Sequence, residues 1–143
     1  MRISEDPYLS TNQFFLETAT TKGIKVSVVS RFEDEHSNPQ EGKYIHSYTI
    51  TISNESEETV QLLSRHWIIK DSLLNEREVK GEGVVGKQPT LAPGESHQYS
   101  SWCPLGSELG KMYGTFLMMR LRDQSTFKVV VPVFKLFANP RLN

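Results

Sequence analysis

Apolar side chains fall on every second position through most of the chain, the period at which a strand shows one face to a core and the other to water. Ile24, Val26 and Val28 share one face of a segment that runs to Phe32. Tyr44, His46, Tyr48, Ile50 and Ile52 repeat the pattern, with Ser47, Thr49, Thr51 and Ser53 filling most of the intervening places. Residues 60–71 are apolar on both faces, which predicts a central strand. Further extended segments are predicted over 76–80, 95–103 (with Tyr99 and Trp102), 110–122 and from Phe127 through Val129, Val131 and Val133 to Phe137. Pro132 lacks the amide that a ladder needs, so the last strand should be an edge or carry a bulge.

Polar, Gly- and Pro-containing stretches separate these segments: a long surface loop over 33–42, and turns at 54–58, 90–94 and 123–125. No long helical period, internal repeat or low-complexity tract interrupts them. About seven short strands whose connections are too brief for helical crossovers predict an all-β fold, an antiparallel sandwich or a small barrel. The first 22 residues stand outside this rhythm. Phe14-Phe15-Leu16 is too apolar for a free tail and is expected to dock as an extra strand or a helical turn, or to meet a partner. We therefore divide the chain into an N-terminal extension, 1–22, and a single domain, 23–143.

Composition narrows the function. A formal net charge of −1 with dispersed lysines and arginines gives no basic patch for nucleic acid or acidic membranes. One cysteine, Cys103, allows no internal disulfide, and no segment approaches the ~18 apolar residues of a membrane span. Without a signal-like start, a cytoplasmic setting is expected. Cys103, between Trp102 and Pro104, reads as a half-buried packing residue with no nearby positive charge to activate it.

Chemistry concentrates in Val79-Lys-Gly-Glu-Gly-Val-Val-Gly-Lys-Gln-Pro89. Gly81, Gly83 and Gly86 spell the dinucleotide fingerprint, and Gly81, Gly86 and Lys87 come one residue short of a P-loop. Both motifs need a following helix whose amides face a phosphate. Pro89 and Pro93-Gly94 leave no room for one, and Gln88 replaces the magnesium-binding hydroxyl. Three readings remain for Gly81, Gly83, Val84, Val85, Gly86 and Lys87. The first is a structural turn, and the second a protein-contact loop with both valines exposed at its tip. The third is an anion-binding nest of backbone amides that holds a phosphate with Lys80 or Lys87.

Other candidates are weaker. Ser64 and His66 share a strand face, and Ser100-Ser101 lie near Cys103, but neither pair has a third catalytic member, so no catalytic residues are assigned. The four histidines, His36, His46, His66 and His97, are widely spaced. Only His46 and His66 could pair, on neighbouring strands, so no metal ligands or cofactors are assigned. Glu33-Asp-Glu35 reads as a solvated acidic loop. Arg65 and Trp67 should project from one face of their strand, as interface anchors or with Trp67 in the core. Met112, Phe116 and Met118 share a face and read as core.

Taken in order, Leu62-Leu-Ser-Arg-His-Trp67, the glycine block, Leu91-Ala-Pro-Gly-Glu95, Tyr99-Ser-Ser101, Gly110-Lys-Met-Tyr-Gly114, Phe116, Met118 and Val131-Pro-Val-Phe134 resemble the ApaG family. The likeness spans residues 24–136, and the N-terminal segment is longer than the family pattern. It implies a fibronectin type III-like (immunoglobulin-like) β-sandwich, a cytosolic bacterial protein linked to cobalt and magnesium efflux, and a domain reused in eukaryotic interaction proteins. The expectation is a non-enzymatic module, monomer or homodimer, that binds another protein. The alternative is a regulator that holds a phosphate compound or divalent cation at the glycine loop.

Overall fold

The computed structural model describes residues 14–72 and 75–138. Among these residues nine strands form two antiparallel sheets packed as a sandwich of the fibronectin type III and immunoglobulin kind. The first sheet holds β1 (Phe14–Thr21), β2 (Ile24–Phe32), β3 (Tyr44–Asn54) and β7 (Ser96–Leu105) in the order β1-β2-β3-β7. The second holds β4 (Val60–Asp71), β5 (Glu76–Glu82), β8 (Leu109–Arg120) and β9 (Thr126–Phe137) in the order β5-β4-β8-β9. The two-residue β6 (Thr90–Leu91) also pairs with β4.

The expected seven strands are all present, and β1 and β6 are additions. Strand β1 forms because Lys22 and Gly23 both take positive φ, 51° and 82°, a two-residue turn whose twist matches the flanking strands. The whole of Phe14–Thr21 then pairs with β2, from Thr21↔Ile24 to Phe14↔Arg31. Of the alternatives open for this segment, the structure takes the extra strand. Residues 1–13 lie outside the described residues.

Alternation places the core. Ile24, Val26, Val28, Ile50 and Ile52 are fully buried from the first sheet, and Leu62, Phe116, Met118 and Val129 from the second. Trp67 joins the sheets through edge-on contacts with Tyr48, Phe116 and Phe134 at 5.9, 6.0 and 6.1 Å between ring centres. Asn54, also buried, stitches the sheets together. Its amide nitrogen donates to the carbonyls of Glu58 (2.7 Å) and Leu91 (2.9 Å), and its oxygen accepts from the amide and hydroxyl of Ser56.

Pro132 has both expected consequences. Strand β9 is an edge, and its register against β8 slips between Met112 and Gly114, where Pro132 and Val133 bulge out. The slip also corrects the sequence pattern. Beyond Pro132 the buried residues are Phe134 and Leu136, while Val133 is 53% exposed.

The sandwich is sealed on one side, where the Val130 amide donates to Thr21 Oγ1 (3.1 Å) and the Ser30 hydroxyl to the Lys135 carbonyl (3.0 Å). On the other side, between the edges β5 and β7, a groove stays open.

Candidate functional site

The glycine block ends β5 and makes a tight hairpin beside the open groove. Val84 and Lys87 exchange both backbone hydrogen bonds (2.8 and 3.0 Å), and Val85 and Gly86 form the two-residue turn between them at φ 47° and 76°. Each glycine has its own cause. A Cβ on Gly83 would overlap the Lys87 carbonyl, and one on Gly81 would come within 2.8 Å of the Arg65 guanidinium. Gly86 supplies the second positive φ of the turn.

Strand β4 grips this hairpin from beneath. Arg65 Nη1 donates to the carbonyls of Glu82 (3.1 Å) and Gly83 (2.9 Å). The Gly83 amide and the Gln88 side-chain amide both donate to the Leu63 carbonyl at 2.8 Å, and Gln61 Nε2 donates to the Gln88 carbonyl at 3.0 Å. Gln88 thus works as a strap. The amides of Gly83, Val84 and Lys87 are all spent on these internal bonds, which leaves little of a backbone nest for an anion.

Two site expectations need correction. Val84 is not exposed at the tip; it is fully buried and plugs the core, while its neighbour Val85 is 62% exposed. Trp67 is no surface anchor, since at 3% exposure it sits at the centre of the aromatic cluster. Arg65 does share the inward side of β4 with Trp67, as expected, and lines the open groove.

That groove, about 280 Å³, runs between β5 and β7 past Arg65, Arg77, Tyr48, Ser101, Trp102 and Cys103. The exposed aromatic here is Trp102, half accessible on the outer side of β7 and edge-on to His36 at 5.0 Å. Its exposure was not singled out from the sequence, although a signal existed: Trp102 is out of phase with inward Tyr99, Ser101 and Cys103. Arg77 donates to the Pro104 carbonyl (2.6 Å) and approaches Cys103 Sγ (3.5 Å), so Cys103 has a positive neighbour that the sequence did not reveal. Burial still pushes the thiol pKa up, against the pull of Arg77, and the site does not make a thiolate. Burial likewise raises the pKa values of Tyr48 and Tyr99. The groove is therefore lined by two fixed cations, one neutral phenol, that of Tyr48, and a neutral thiol.

The remaining candidates are not brought together. His46 lies in the first sheet and His66 in the second, so the pairing on neighbouring strands fails. His66 Nε2 instead meets Glu78 at 2.6 Å on the outer face, and that contact holds the Glu78 carboxyl below its usual range. Among the described residues no three His, Cys, Asp or Glu side chains are grouped to hold a metal ion. Glu33 accepts a hydrogen bond from Ser47 (2.5 Å) and lies 3.6 Å from Arg31, which uses up the carboxylate nearest the sheet.

A family model described as the ApaG domain matches residues 34–120. The chain belongs to the ApaG family. Protein ApaG of Methylobacterium sp. strain 4-46 is 48% identical over 118 residues, 82% of this chain and 90% of that protein. Protein ApaG of Brucella abortus strain S19 is 46% identical over 119 residues, 83% and 91% of the two chains. Among solved structures, a Bordetella pertussis protein described as ApaA superposes with a TM-score of 0.78 at 40% identity, covering 87% of this chain and 96% of that one. The ApaG match begins inside the β2–β3 loop, so it includes the hairpin and the groove but not β1. No helix among the described residues is long and apolar enough to cross a membrane.

Proposed function

We propose that this ApaG-family chain is a protein-binding module whose contact face joins the tip of the 83–87 hairpin to the groove rimmed by Trp102. One observation carries the reading. Arg65 grips the Gly83 carbonyl and also lines the groove together with Trp102, which supports reading exposed Val85 and exposed Trp102 as parts of one face. A fixed aliphatic tip, an exposed indole and arginines beside it are the ingredients of interface anchors. The hairpin's internal hydrogen bonds keep the ordering cost of binding low.

A role for the partner in cobalt or magnesium efflux extends this reading on the ApaG resemblance alone. The alternative, a phosphate or divalent-cation site at the glycine loop, has less in its favour because most of the loop amides already bond internally. Calorimetric titration with pyrophosphate, magnesium and cobalt checks that alternative, with flat traces at millimolar ligand expected. For the main reading, affinity capture from lysate of the source organism compares wild type with Val85→Asp and Trp102→Ala. The same partner should be lost from both variants; identical partner sets in all three samples refute the contact face.

A further inference from the structure

At the opposite end of β4, on its outer face, three lysines lie side by side. Lys70 pairs with Lys111 across β4 and β8, and Lys111 pairs with Lys135 across β8 and β9. Neighbouring strands are about 4.8 Å apart, so this is a ladder of three like charges. Directly opposed like charges destabilise a sheet. Lysines often protect an exposed edge, and Lys135 on β9 fits that use. Lys70 and Lys111 sit on interior strands and do not.

Nearby acids only partly relieve the ladder. Glu76 lies 3.7 Å from Lys70. Asp71 accepts hydrogen bonds from the Ser107 hydroxyl and the Gly106 amide, which turns its carboxylate toward that loop. Lys111 and Lys135 are exposed, with no carboxylate within 4.0 Å among the described residues.

These lysines border a cleft of about 670 Å³. Its apolar lining comes from Phe15 of β1, Leu109 of β8 and Phe137 of β9. The size falls within the range typical of small-molecule sites. An apolar floor beneath uncompensated ammonium groups selects one chemistry: an anionic head on an apolar body. The head would neutralise Lys111 and Lys135, and the body would cover the aromatic rings. We propose that this cleft binds a small amphipathic anion, a carboxylate or phosphate carried on an aromatic or acyl group. The site lies on the face of β4 opposite Arg65 and is independent of the hairpin contact face.

The test titrates folded protein with anilinonaphthalene sulfonate and, in parallel, with its uncharged relative phenylnaphthylamine, reading fluorescence. Wild type should bind the sulfonate saturably at one site. Lys111→Glu with Lys135→Glu should weaken it about tenfold or more while changing the neutral probe less than about threefold. Displacement by decanoate or by naphthyl phosphate identifies which head group is preferred. Circular dichroism and a cooperative melt establish that each protein is folded, and Lys111→Gln with Lys135→Gln replaces the charge reversal if that variant does not fold. Absence of saturable binding overturns the proposal. So does equal weakening of both probes, or sulfonate affinity that the lysine changes leave untouched.

Discussion

His46 is a buried imidazole packed against Phe32 at 5.5 Å between ring centres, and burial lowers its pKa from 6.5 to about 4. The folded protein therefore holds it neutral while the unfolded chain takes up a proton below pH 6.5. Stability from this group is complete above 6.5 and drains away as pH falls toward 4. At about 1.4 kcal/mol per pH unit, the whole displacement is worth about 3 kcal/mol. Urea unfolding of His46→Leu between those pH values should show a flatter dependence than wild type; parallel curves would contradict it. Asn54 is the second residue on which much rests. Asn54→Leu strands two carbonyls and should cost about 2–4 kcal/mol in the same assay. That His46 faces inward was legible from its place in the alternation. Its lack of a histidine partner was not, because adjacency of strands in a sandwich depends on sheet assignment, which periodicity does not carry.

At the scale of the element, the hairpin gives the nucleotide-like motif a structural cause. The spacing Gly81, Gly83, Gly86 follows from an arginine, a carbonyl and a left-handed turn, three local demands that coincide. Sequence excluded the helix, since Pro89 was visible; it could not separate Val84 from Val85. Two identical neighbours differ only because turn register points one inward and puts the other at the tip. Val85 is β-branched in a left-handed conformation, a strained choice for a turn that favours asparagine before glycine. Val85→Asn should raise thermal stability by about 1 kcal/mol and yet weaken partner capture. A fall in melting temperature would show that the turn is not strained as described. Arg65→Met removes the clamp on Glu82 and Gly83 and should destabilise by about 1–3 kcal/mol.

For the whole molecule, two sheets share one sealed side and one open side. The sandwich was legible because alternation gives the strands one buried face, and the central position of β4, between β5 and β8, because apolar residues stand on both its faces. Strand β1 was only one of several options, since Phe14-Phe15-Leu16 does not alternate and the Lys22-Gly23 turn alone decides it. Trp67 and Trp102 could be ranked only once the sheets were packed. Burial also sets chemistry at this scale: Cys103, 2% exposed and with its pKa raised, should react with thiol reagents only as fast as the protein unfolds. Rapid labelling of the native state would contradict that.

Val85 and Trp102 are proposed to belong to one protein-binding face. Benzoylphenylalanine placed singly at Val85, Trp102 and, as control, Lys25 on the outer face of β2, followed by photo-crosslinking in cells, tests it most directly. The account requires one common partner joined at positions 85 and 102 and not at 25. Different partners at the two sites, none at either, or the same product from all three positions would contradict it.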